Sequence, residues 1–441
     1  MIILIFLIFT FPILSKPEYS LETILLRQEG SFSGKTEKET EYVSESDILL
    51  VPNFYYSEED KERSFDLSFQ LVKRGKQSDA NQFFWAGKNL YYSRNFSTFS
   101  VFLGRKQDSI YDTIFNSYYD GLEGLGIQIN FSSRTRLFLS LLDYYRAFPL
   151  LEKNLFLNKK SESQKGAMWR HGLKLEYDKD SLRSLFYLNY TNTGSAGKYS
   201  NEDPLKKGRG DRDFLIHSGI LLQYKRFTNF GTIDSALLFC VSRGIDKTLF
   251  HPVRKDSSLP VSGEMLSGKI EWRNPLFRIS SSFYLPDADK TNAEKEILEL
   301  GYTGLGTNPL SSQLLVNLLD FYPSAWITEN AWEKSFSTKS ARRNSFFTQL
   351  GFQVQIEEYE LGVSYEHIVP QKEIASYGGG LVWNKAHYER YFLGEFTLSI
   401  GFREKKEENF YFTISYSDLK QTGGEAPIKA KGLGIKAGMR F

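Results

Sequence analysis

Apolar and polar residues trade places one for one through much of this chain. Leu350, Phe352, Val354 and Ile356 alternate with Gly351, Gln353 and Gln355. Tyr359, Leu361, Val363 and Tyr365 alternate with Glu360, Gly362, Ser364 and Glu366. Phe396, Leu398, Ile400 and Phe402 alternate with Thr397, Ser399, Gly401 and Arg403. Successive side chains of a strand point to opposite faces, so a period of two marks a strand with one oily and one wet face. Helical spacing does not account for these stretches. The pattern predicts strands at 63–72, 82–92, 97–103, 123–131, 134–145, 169–177, 182–191, 214–226, 231–242, 264–273, 276–285, 294–302, 309–322, 345–356, 359–367, 390–402, 409–417 and 431–441. The near-continuous apolar run at 309–322 also fits a short helix. Residues 38–56 have room for two further strands.

The connectors add a second pattern, because short and long ones take turns. Residues 404–408, Glu357-Glu358, Asn274-Pro275, 227–230 and Ser132-Ser133 are short. Residues 368–389, 323–344, 243–263, 192–213, 146–168 and 104–122 are long. Membrane barrels have short periplasmic turns and longer outer loops. Inside lipid an unpaired backbone amide costs several kcal/mol, so a spanning sheet must close and leave no edge. The fold class expected is therefore all-β: a transmembrane antiparallel β-barrel of about 18 strands, within a range of 16 to 20. A barrel of that size encloses water rather than a packed core.

Composition agrees with half-apolar strands. Hydrophobic residues make up 41% of the chain, and the mean hydropathy is −0.37. Aromatics reach 15%, with 36 Phe and 26 Tyr, which suits girdles of rings at two membrane interfaces. The net charge of +2 argues against a nucleic-acid partner. Cys240 is the one cysteine, so no internal disulfide and no zinc-type Cys/His spacing exist. The apolar run at 2–14 is too short for a membrane helix and reads as the core of a signal peptide. The expected organisation is a signal peptide at 1–15, an N-terminal segment or first strands at 16–62, and a transmembrane barrel at 63–441.

Leu433, Ile435, Ala437, Met439 and Phe441 share one parity, and Gly434, Lys436, Gly438 and Arg440 the other. This stretch resembles the last strand of a bacterial outer-membrane β-barrel. The resemblance implies that Ile435, Ala437, Met439 and Phe441 form the signal read by the barrel assembly machinery, in the outer membrane of a diderm bacterium. Val101-Phe102-Leu103-Gly104-Arg105-Lys106 leads into a loop that returns through Tyr118-Tyr119-Asp120-Gly121. This loosely resembles the alginate-export type of outer-membrane porin. It implies that Arg105 is a mouth cation attracting an anionic sugar and that Asp120 stabilises a turn. Arg105 shares the parity of Val101 and Leu103, so an inward side chain there needs a bulge at Gly104.

The wet face carries the candidate chemistry. Lys174, Glu176, Lys269, Glu271, Arg273, Arg278, Gln353, Gln355, Glu360, Glu366 and Glu395 have lumen parity, and charges there need water. Arg105, Lys174, Glu176, Lys269, Glu271, Arg273, Arg278 and Glu395 are the selectivity candidates. The long connector at 192–213 holds Lys206, Lys207, Arg209 and Arg212, candidates for a loop folded into the bore to constrict it. The five histidines lack the Ser or Asp spacing of outer-membrane lipases and proteases, so no catalytic, metal or cofactor site is expected. The partners expected are outer-membrane lipid and a small hydrophilic or anionic solute; oligomeric state is left open. Two functions fit: a diffusion channel with a charged lumen, or an adhesin-like scaffold whose long surface loops bind ligands or host molecules.

Overall fold

The computed structural model describes residues 18–33, 40–59, 63–74, 83–106, 122–146, 167–193, 214–246, 259–288, 290–291, 297–299, 301–302, 345–370, 374–378, 382–404, 407–422 and 428–440. They form β1 (Glu18–Ser33), β2 (Thr40–Glu59), β3 (Arg63–Arg74), β4 (Phe83–Asn95), β5 (Phe99–Lys106), β6 (Leu122–Asn130) and β7 (Thr135–Arg146). Next come β8 (Ala167–Lys179), β9 (Leu182–Thr193), β10 (Phe214–Thr228), β11 (Gly231–Asp246), β12 (Leu259–Arg273) and β13 (Phe277–Pro286). A small hairpin of β14 (Lys290–Thr291) and β15 (Ile297–Glu299) follows. Last are β16 (Ser345–Ile356), β17 (Tyr359–Pro370), β18 (Ile374–Gly378), β19 (Val382–Glu404), β20 (Glu407–Thr422) and β21 (Ile428–Arg440).

All of these but β14, β15 and β18, eighteen strands, pair antiparallel with the next one along the chain. β21 then pairs back onto β1, with Ala437 opposite Leu25. The sheet is a closed cylinder, and no barrel strand is an edge. Two details differ from expectation. Among the described residues of 294–302 there is no barrel strand: 297–299 form the short β15, paired with β14. The two further strands are β1 and β2, at 18–33 and 40–59 rather than both within 38–56; in β1 polar residues such as Glu22, Arg27 and Glu29 interrupt the alternation. Residues 1–15, 309–322 and Phe441 lie outside the described residues.

The two faces are sorted by the period of two. Leu175, Phe186, Ile220 and Phe239 are cross-strand neighbours in one row, and each is between 39% and 47% exposed. Large apolar side chains exposed in rows around a cylinder suit hydrocarbon, not water. Tyr92, next to a short turn rather than a long connection, belongs to the turn-side end of the barrel.

Two-residue turns join several hairpins. Asp180 and Glu357 take positive φ (51° and 54°) in the links β8–β9 and β16–β17, the conformation such tight hairpins demand. Asn274 anchors the β12–β13 turn, its Oδ1 accepting from the amides of Leu276 (2.8 Å) and Phe277 (2.7 Å).

Candidate functional site: the inner face of the barrel

The inner face is layered from the long-connection side to the turn side. Its middle is apolar and buried. Leu185, Leu221, Leu238, Ser267, Tyr284 and Phe347 are successive cross-strand neighbours, and none is more than 8% exposed. The neighbouring row runs Lys174, Tyr187, Gly219, Cys240 and Met265. The Tyr187 ring lies flat on Gly219, where an added Cβ would sit 2.6 Å from it. The Tyr187 hydroxyl and the Cys240 thiol share a hydrogen bond of 2.7 Å. The inner face is therefore not polar throughout, as its parity alone had implied.

Part of this wall is covered by the chain between β13 and β16. Asp287 ties the start of that connection to β12: its amide donates to the Glu264 carbonyl (2.7 Å), and its Oδ2 accepts from the Glu264 amide (2.9 Å). The Tyr302 amide then donates to the Asp287 carbonyl (3.1 Å). Tyr302 is 2% exposed, and its ring meets the buried His217 of β10 edge-on at 6.0 Å. Gly263 allows this approach, because a Cβ there would collide with the Tyr302 amide. The β14–β15 hairpin holds the other side of the strap. Lys290 donates to both oxygens of Glu299 at 3.1 Å. A hydrogen bond from the Ser262 hydroxyl, together with the Lys290 ammonium, keeps the Glu299 carboxyl below its usual range.

Toward the turns the inner face is charged. Glu271 is buried, and Arg273, Arg278 and Lys269 surround its carboxylate. Arg278 Nη2 donates to Oε2 at 2.5 Å, Lys269 Nζ lies 3.3 Å from the same oxygen, and Arg273 Nε donates to Oε1 at 3.1 Å. Arg278 also reaches Gln353 Oε1 (3.3 Å), and Gln353 Nε2 donates to Glu360 (2.9 Å). A second group stands on β7–β10. Glu176 accepts from Arg183 Nε at 2.5 Å and pairs with Arg136 at 3.4 Å, while Arg183 Nη1 reaches Gln223 at 3.3 Å. Lys174 lies 5.5 Å above the Phe138 ring, which stacks on Phe102 at 4.5 Å.

Six of the sequence candidates thus fall into place on one face: Lys174, Glu176, Lys269, Glu271, Arg273 and Arg278. Glu395 stands opposite Glu366 in the β17–β19 register, and Glu366 Oε1 accepts from Gln349 (2.9 Å). The backbone of β5 shows no bulge at Gly104. Gly104 takes a positive φ of 120°, yet the pairing of β5 with β4 and β6 runs through it in unbroken register. The backbone at Arg105 therefore stays in step with that at Leu103, and the Arg105 side chain lies outside the described ones. Lys206, Lys207, Arg209, Arg212 and the Tyr118–Gly121 return lie outside the described residues. Ile435, Ala437 and Met439 stand on β21 at the closing seam. Sequence reasoning missed Arg136, Arg183, Gln223, His217 and Tyr302. Arg183 was findable, because it follows Glu176 by seven residues about a two-residue turn; Tyr302 had no local signal.

No family model matches the chain, and no curated protein matches it. Among solved structures, OccK8 (OprE) of Pseudomonas aeruginosa superposes with a TM-score of 0.50 at 11% identity, over 96% of this chain and 98% of that one. The fold is that of a bacterial outer-membrane porin barrel. OccK5 (OpdH) of Pseudomonas aeruginosa gives 0.49 at 12% identity, over 97% and 98% of the two chains. OccAB4 of Acinetobacter baumannii gives 0.49 at 8%, over 98% and 100%. At such identities the likeness concerns the porin fold alone.

Proposed function

We propose that this porin-fold chain is an outer-membrane channel that passes small hydrophilic solutes by diffusion and favours anionic ones. The observation that carries this reading is the charged end of the inner face. Lys269, Arg273 and Arg278 gather there about one carboxylate, an excess of positive charge inside a closed cylinder. Lining charge of one sign raises the local concentration of the opposite ion and sets selectivity. The strap ending at Tyr302 narrows the bore in this reading, and the terminal strand with Ile435, Ala437, Met439 and Phe441 presents the assembly signal. No catalytic role is assigned to any residue.

Reconstitution in a planar bilayer tests the proposal. Discrete conductance steps are expected, with a reversal potential in a potassium chloride gradient that reports anion preference. Replacing Arg273 and Arg278 together by Gln should move that potential toward the cation side. A barrel that inserts but conducts nothing would favour the scaffold reading, and an unmoved potential would remove the arginines from selectivity.

A further inference from the structure

The charged end of the inner face is built from one repeated device. Glu176 bonds Arg183 and Glu271 bonds Arg278, each across a tight hairpin and each seven residues apart. Gln353 and Glu360 repeat the spacing on β16–β17. The register is the same every time. Glu271 stands opposite Ser280, and Arg278 lies two positions nearer the turn. Glu176 stands opposite Leu185, and Arg183 lies two positions nearer the turn. Each arginine then hands on to a glutamine of the next hairpin: Arg183 to Gln223, Arg278 to Gln353.

Simple hairpin stapling does not account for the charges. Arg273 and Arg278 are direct cross-strand neighbours, a like-charge placement that opposes pairing. With Lys269 they make three cations around one carboxylate. Asp234 stands opposite Glu271 in the row and Lys225 opposite Asp234, so the row brings one further charge of each sign. The glutamate side chain is 4% exposed, whereas those of Arg273 and Arg278 are 59% and 38% exposed. The acid is thus the hidden member and the guanidinium groups the presented ones. The second group repeats this, with Glu176 at 13% between Arg136 at 40% and Arg183 at 33%.

We propose that Glu271 and Glu176 are positioning residues, each fixing arginines of neighbouring strands into a fork that grips a carboxylate of the passing solute. The inference rests on the channel reading above. A guanidinium offers donors along more than one edge in a rigid plane. On Arg273 the buried acid takes Nε and Nη2 and leaves Nη1; on Arg278 it takes Nη2 while Gln353 takes Nη1, one hydrogen from each nitrogen. The donors left over are held in place before the solute arrives.

The test is Glu271→Gln, measured against the wild-type pore in a planar bilayer with succinate as the probe. Removing a negative charge makes the group more positive, so a pure field effect lengthens succinate dwell. A positioning role shortens it: succinate affinity, read from current interruptions, should fall about tenfold, the scale of one charge-assisted hydrogen bond. Chloride selectivity should hold or rise in the same experiment, and Glu271→Asp should recover part of the affinity. Glu176→Gln carries the same expectation and serves if the first variant does not fold. Longer succinate dwell in the Gln variants overturns the proposal. So does a conducting wild-type pore that succinate never interrupts, and that result leaves the channel reading standing. Failure of the wild type to conduct defeats the channel reading itself.

Discussion

At the scale of single residues, one step along a strand exchanges lipid for the inner face. Ile220 is exposed on the outer belt, while its neighbour Leu221 is buried inside. Both are aliphatic, so parity and not residue type decides their surroundings. A charge on the belt must be drawn into hydrocarbon or pull its strand out of register. Ile220→Arg should therefore destabilise the barrel by about 2–4 kcal/mol if the site lies near the bilayer midplane. Urea titration of folding into lipid vesicles measures this, and a loss under about 0.5 kcal/mol would place Ile220 out of the hydrocarbon.

At the scale of elements, the hairpins and the strap obey different rules. A hairpin is fixed by its own turn, as Asn274 shows by accepting two amides of the β12–β13 link. The strap from Asp287 to Tyr302 depends on partners far away in sequence: Gly263 on β12 and His217 on β10. Its polar clasp is sensitive to pH. The Glu299 carboxyl is held below its ordinary value of 4.5 when the clasp is formed. A lowered acid stabilises the folded form above its unfolded pKa and loses that contribution as pH falls through the folded value. The clasp should thus be intact at neutral pH and loosen below about pH 4.5. Protection of the β14, β15 and Tyr302 amides, expressed relative to their intrinsic exchange rates at each pH, should fall in that acid range. In Glu299→Gln the fall should disappear, and protection should already be lower at pH 7. A wild-type profile flat down to pH 3 would contradict this.

At the scale of the whole molecule, the decisive event is closure. β21 lies between β20 and β1, so residues 429–439 are paired on both sides, and nothing outside the cylinder replaces a lost bond in lipid. Proline removes an amide and clashes in a central strand. Ala437→Pro should abolish the heat-modifiable folded band on gel electrophoresis, and Ala437→Val should keep it. A folded proline variant would show that the seam is not needed for closure. The count of eighteen arises from this circle of pairings, although the sequence reaches a similar number by a different route. It takes 294–302 as a barrel strand and leaves room for two further strands at 38–56, where the structure has β2 preceded by β1 at 18–33. The mixed polarity around Glu22, Arg27 and Glu29 hides β1; its hairpin with β2 is local, whereas its pairing with β21 joins residues far apart in sequence.

The sequence by itself determined the period of two, the short turns, the faces of most strands and hence the barrel. Each of these is local: a side chain's face follows from its neighbours' parity, and a hairpin from the residues of its turn. It also placed Lys174, Glu176, Lys269, Glu271, Arg273 and Arg278 on one face. Only the tertiary structure decided that Glu271 lies buried beneath two arginines, that Arg105 gains no bulge, and that Tyr302 folds in over His217. The first two are settled by the register and packing of whole hairpins, and the last by which strands become neighbours around the ring. Contacts between residues tens of positions apart leave no periodic trace in the chain.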